Sequence, residues 1–164
     1  MLIKLKNEDT LIINEFKLKC CVGKKGVSKN KLEGDFQTPS GKFNLGNLYW
    51  RSDRVKKPET KLICKKIEKN MGWCNDSKSK RYNREINFPF KYKAEKLYRR
   101  DGIYDILINI KYNYLTTVKK KGSAIFLHIA SKKYKSTKGC VAIRKKDFLK
   151  ILPLINKKTK ILIT

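Results

Sequence analysis

A chain of 164 residues, 40% of them hydrophobic, is long enough to bury one core, and a single domain over residues 1–164 is expected. No run of 18 or more apolar residues occurs, which excludes a helix that spans a membrane. The net charge of +27, from 41 Lys and Arg against 14 Asp and Glu, attracts anionic partners. The lysines are spread along the chain, and Lys, Ile and Asn are all abundant, as an A/T-rich coding sequence produces. The charge therefore reads first as composition. Nucleic acid is disfavoured because Arg, its usual bidentate reader, is scarce; anionic polymers stay open as partners.

The elements read mostly as strands. Leu2–Leu5, Leu11–Asn14 and Lys17–Val22 are short runs rich in apolar or β-branched residues. Residues 23–41 gather Gly, Pro and polar groups and predict a loop, and residues 74–84 predict another. Phe88-Pro89-Phe90 excludes a helix at that point. Ala94–Arg100 predicts one or two helical turns. Tyr104–Lys111 and Ala124–Ala130 are the strongest strands, apolar enough to lie centrally, with Cys140–Ile143 a fourth candidate near them. The basic cluster Lys119-Lys120-Lys121 between two strands reads as a solvated turn. Lys145–Ile155 predicts a helix whose Phe148, Leu149, Leu152 and Ile155 form one apolar stripe, with Pro153 weakening its last turn. Ile161–Ile163 predicts a closing strand. The expected fold is mainly β: two packed mixed sheets with one or two short helices.

The cysteines are Cys20, Cys21, Cys64, Cys74 and Cys140. No Cys-x-x-Cys occurs, and a single histidine cannot complete the usual zinc spacings, so no metal and no cofactor is expected. Cys20 and Cys21, as neighbours on a strand, face opposite sides. Spacing alone leaves the pairing of Cys64 and Cys74 open.

Cys140 has a different setting. The only histidine, His128, lies upstream in Phe126-Leu-His-Ile-Ala, and the run leads through Thr137-Lys-Gly139 to Cys140. Only a thiolate attacks, a free thiol has a pKa of about 8.5, and histidine is the usual base that activates it. That arrangement suits a cysteine acyltransferase. It also suits a small buried cysteine beside a core histidine.

The wider pattern favours the catalytic reading. Thr137-Lys-Gly139-Cys140, with a histidine on an upstream strand, resembles the Ser/Thr-x-Gly-Cys signature of the L,D-transpeptidase (YkuD-like) catalytic domain family. So do Gly34-Asp-Phe-Gln-Thr38-Pro39-Ser-Gly41-Lys-Phe43, Met71-Gly-Trp73-Cys74-Asn-Asp76 with Tyr82-Asn83-Arg84, and Leu97-Tyr98-Arg-Arg-Asp101-Gly102-Ile-Tyr104-Asp105 with Tyr112-Asn113. Gly122-Ser123-Ala124-Ile-Phe126-Leu-His128 completes an ordered set over residues 23–152.

The resemblance implies a thioester enzyme acting on peptidoglycan stem peptides in the cell envelope or periplasm; a monomer is expected. Cys140 would be the nucleophile, His128 the base and Gly139 a close-approach glycine. Thr137 would orient His128 or the donor peptide. The family works outside the cytoplasm, yet Met1-Leu-Ile-Lys-Leu-Lys lacks the apolar segment and cleavage site of a secretory signal.

Two positions depart from the family pattern. Ile129 stands where Gly commonly follows His. Ala142 stands where Arg commonly lies two residues past Cys, and Arg144, on the same strand face, is the candidate substitute. Trp73, Tyr82 and Asn83 flank a polar loop and are candidate substrate contacts, although Trp73, Tyr82, Tyr98 and Tyr104 equally suit core packing. Lys132, Lys133 and Lys138 crowd the site in sequence and would favour a thiolate. Two rival classes remain: another cysteine amidase or hydrolase of cell-wall peptides, and a non-enzymatic basic binder of nucleic acid or anionic polymer.

Overall fold

The computed structural model describes all 164 residues, as a mainly β fold with a single short helix. The strands are β1 (Leu2–Lys6), β2 (Thr10–Ile13), β3 (Phe16–Cys21), β4 (Val27–Ser28), β5 (Thr38–Pro39), β6 (Gly41–Trp50) and β7 (Cys64–Lys66). They continue with β8 (Met71–Cys74), β9 (Glu85–Asn87), β10 (Ala94–Lys96), β11 (Ile106–Ile110), β12 (Phe126–Ile129) and β13 (Val141–Ile143). Helix α1 (Lys145–Ile151), a 3₁₀ turn (Leu152–Leu154) and β14 (Lys160–Ile163) finish the chain.

Strands β11, β12, β13, β3, β2, β1, β14 and β6 follow in hydrogen-bonded order, and β6 pairs back onto β11. The sheet is therefore a closed barrel, which corrects the expectation of two packed sheets. The pairing of β6 with β11 joins what would have been two free edges, and closure removes the cost of exposed edge groups. The ladder is mixed, as expected: β1–β14, β12–β13 and β6–β7 are parallel. A small sheet, β10-β8-β9, and the pair β4–β5 stand outside it.

Side-chain alternation decides what each face does. Ile3, Leu5, Leu11, Ile13, Leu18 and Cys20 point into the main core, and Cys21 lies half-buried on the opposite side, as expected. The central strands β11, β12 and β13 are buried on both faces. Ile108, Leu127, Ile129, Val141 and Ile143 enter the main core. Leu107, Phe126 and Cys140 face outward into a second cluster that includes Met71, Trp73 and Leu97. Each such buried side chain contributes about 1.5–3 kcal/mol. Packing by the small sheet thus covers the outer face, and a one-residue slip of β12 or β13 would exchange the two faces.

Two helical expectations need correction. Ala94–Lys96 is strand β10, antiparallel to β8 with Glu95 opposite Trp73. A segment this short gains little as an isolated helix, and β8 offers it backbone partners. The C-terminal helix ends at Ile151 and tightens into the 3₁₀ turn that contains Pro153. Phe148, Ile151, Leu152 and Ile155 reach the main core, whereas Leu149 is 39% exposed and leaves the predicted stripe. No helix is long and apolar enough to cross a membrane.

Candidate active site

Parallel pairing sets Leu127 beside Val141 and His128 beside Ala142, so Cys140 lies opposite Phe126. Phe126, His128, Cys140 and Ala142 therefore share the outward face of two adjacent strands. His128 and Cys140 open on one cleft of about 1250 Å³, which Tyr104, Glu95, Lys31 and Arg144 also line. All five cysteines are free thiols, Cys64 and Cys74 included.

Cys140 is buried, and its Sγ donates to the Ala124 carbonyl at 3.3 Å and accepts the Phe126 N–H at 3.4 Å. Burial pushes its pKa up to about 12, and the charge of Glu95 adds to the rise. The Phe126 N–H, the Tyr104 hydroxyl and Lys31 act in the opposite direction. His128 is buried too, and its Nδ1 lies 2.9 Å from the Ile129 carbonyl. A carbonyl only accepts, so Nδ1 carries the hydrogen and Nε2 is left as the proton acceptor. The orienting group is the backbone carbonyl of Ile129. Burial pushes the His128 pKa down to about 4. The resting pair is therefore neutral thiol and neutral imidazole. No hydrogen bond joins them directly, and catalytic contacts often tighten only on substrate binding.

Thr137 holds the turn that leads into Cys140. Its hydroxyl donates to the Cys140 carbonyl at 2.6 Å and accepts the Gly139 N–H at 3.0 Å. The Thr137 side chain thus bonds within the turn rather than to His128, and it engages the Gly139 amide. Gly139 has φ +138°, and a Cβ there would lie 2.8 Å from the Gln37 carbonyl oxygen. Gly139→Ala is expected to cost about 2–3 kcal/mol of stability and to slow covalent labelling of Cys140. A urea midpoint and a labelling rate check this; wild-type values for both would contradict the close approach.

The other sequence candidates lie around the cleft in supporting positions. Trp73 is fully buried, and its indole N–H donates to Asn83 Oδ1 at 2.9 Å. It has no free surface for a substrate. Buried Asn83 also accepts the Ala124 N–H at 3.0 Å and donates to the carbonyls of Tyr112 and Asn113. Tyr82 is buried, donates to Glu33 at 2.5 Å and accepts the Gly122 N–H at 3.0 Å. Trp73, Tyr82 and Asn83 thus brace the segment Gly122–Ala124, whose last carbonyl meets the thiol. Arg144 lies at the cleft but pairs with Asp147 at 2.9 Å. Lys132 and Lys138 line the cleft, Lys133 does not, and the lysine whose charge favours the thiolate is buried Lys31, which pairs with Asp35 at 2.5 Å. Sequence reasoning missed Lys31 and Glu95. Neither carries a local signal, since each is one more charge in a run of charges.

No group of His, Cys, Asp and Glu side chains could hold a metal ion. No curated protein and no solved structure matches the chain. A family model, the YkuD L,D-transpeptidase catalytic domain, matches residues 3–163, nearly the whole chain. Its span takes in the barrel, the cleft and both residues of the Cys140–His128 pair, so the chain belongs to the YkuD family of L,D-transpeptidase catalytic domains.

Proposed function

We propose that this protein is an L,D-transpeptidase acting on peptidoglycan stem peptides through a thioester on Cys140. The observation that carries the reading is the placement of Cys140 and the only histidine on one strand face, at a cleft large enough for a peptide. Cys140 Sγ attacks the carbonyl carbon of the L-centred bond to the terminal D-residue, and His128 Nε2 takes the thiol proton. The Cys140 N–H is the candidate oxyanion donor, because the Gly139 N–H is already engaged. The tetrahedral intermediate collapses, His128 returns the proton to the departing amine, and the D-amino acid leaves. An amine of a second stem then attacks the thioester, giving up a proton to His128, and the Cys140 thiol is restored as the cross-link forms. Water in place of the amine makes the same site an L,D-carboxypeptidase. Incubation with a purified tetrapeptide muropeptide, with and without a second stem, separates the two outcomes by product mass, and cleavage of any other bond would point to an amidase instead.

In this reading the lysines assist only diffusely. Lys119, Lys120 and Lys121 are exposed. Neutralising all three is expected to leave turnover of a small soluble muropeptide within about 2-fold of wild type, because exposed charges are screened beyond roughly 8–10 Å. Any loss should appear only on intact anionic wall and fade as salt rises. Parallel DNA-affinity measurements at two salt concentrations test the rival class: tight wild-type binding at physiological salt without any muropeptide product would contradict the enzyme reading.

A further inference from the structure

Beside the nucleophile lies a carboxylate that the reaction above does not use. Glu95 turns from β10 into the cleft that holds Cys140 and His128. Tyr104 Oη donates to Glu95 Oε1 at 2.7 Å. The Tyr104 ring packs edge-on against the His128 ring, with centroids 5.2 Å apart, and lines the same cleft as Cys140. The Arg99 guanidinium lies 5.1 Å over the same ring and 3.9 Å from Glu95 Oε1. One phenol thus packs on the histidine of the Cys140–His128 pair, and one carboxylate holds that phenol.

We infer that Glu95 is a positioning residue for the acyl-transfer centre: by accepting the Tyr104 hydroxyl hydrogen it fixes the phenol against the His128 imidazole, in the cleft that Cys140 also lines. A phenol has one hydrogen to give. With that hydrogen on Glu95, the direction of the Tyr104 O–H is fixed, and the ring that packs on His128 is tied to β10. The carboxylate charge has a second effect. It opposes formation of the thiolate from the β10 side, while Lys31 favours it from the loop before β5. The charges of Arg99, Lys138 and Glu33 act on Glu95, and those of Arg99 and Asp101 act on His128. The inference rests on Cys140 being the nucleophile, but part of its test needs no peptidoglycan turnover.

The test compares Glu95→Gln, Glu95→Ala, Tyr104→Phe and the Glu95→Ala/Tyr104→Phe pair in the full chain. Carbapenem acylation, iodoacetamide alkylation of Cys140 at pH 8 read by peptide mapping, and a thermal midpoint are measured for each. Gln keeps the acceptor without the charge, so Glu95→Gln should acylate within about 3-fold of wild type and alkylate Cys140 about 3-fold faster or more. Glu95→Ala frees the phenol and should slow acylation by about 10²-fold. Added to Tyr104→Phe, it should cause no further loss, because the two act as one unit. Unchanged alkylation in Glu95→Gln, or losses that multiply in the double variant, would overturn the inference. A wild type that resists acylation overturns the nucleophile reading instead, and the alkylation rates alone then decide the role of Glu95.

Discussion

Cys140→Ala is expected to abolish both muropeptide turnover and covalent labelling by a carbapenem, the β-lactam type to which the family is susceptible. The loss should be complete within detection, because no other thiol occupies the site. Cys20 faces the main core, and burial raises its pKa to about 12 with no histidine beside it. Cys21 donates to the Lys135 carbonyl, and Cys64 to the Leu62 carbonyl. Cys74 is buried on β8. The substitution removes one sulfur from the outer cluster and should cost about 1 kcal/mol, small enough to leave the fold intact. Intact-protein mass after carbapenem treatment checks it; an adduct on the Ala variant would place the nucleophile elsewhere.

His128→Gln carries the second large effect. The acylation rate should fall by about 10²-fold or more across pH 6–8, since His128 is the one imidazole at the cleft and Glu95 is already engaged by Tyr104. In the wild type the base works above its folded pKa, so the acid limb of acylation should lie near pH 4 rather than near the ordinary value of 6.5. The same shift makes a stability prediction. As pH falls below 6.5 the unfolded chain binds a proton at this histidine, while the folded chain does not until about pH 4. Stability is therefore fully present above 6.5 and is lost progressively between 6.5 and about 4, by on the order of 3 kcal/mol. His128→Gln should lack that part of the slope. Denaturant midpoints of both proteins at several pH values in this window test it, and identical slopes would contradict the buried neutral imidazole.

The legible and illegible parts of this chain divide by range. Thr137-Lys-Gly139-Cys140 and a single histidine are local signals, and the strong strands β11 and β12 announce themselves by apolar runs. The structure sets His128 on β12 and Cys140 just before β13, its parallel neighbour. Strand β6 was not legible, because Gly41, Asn44, Gly46 and Asn47 interrupt any apolar pattern. Those residues answer to tertiary demands: Gly46 lies where a Cβ would come 3.2 Å from Asn109, beside the irregular pairing with β11. Without β6 the closure of the barrel could not be seen. Glu95 was hidden because Ala94–Arg100 has a weak helical look that pairing with β8 overrides. Trp73, Tyr82 and Asn83 carried a true signal with the wrong role. Asn83 holds φ +57° while buried, and its side chain ties together Trp73, Ala124 and the turn at Tyr112–Asn113. A polar residue that organises a loop from beneath and one that meets a substrate from above look the same in sequence.

The claim that Cys140 takes up a stem peptide is tested most directly by intact-protein mass spectrometry after rapid mixing with a purified tetrapeptide muropeptide. The prediction is a transient adduct equal to the donor minus its terminal D-amino acid, mapped to the peptide that contains Cys140 and absent in Cys140→Ala. Release of the terminal D-residue without any Cys140 adduct at any time, or an unchanged Cys140→Ala reaction, would contradict it.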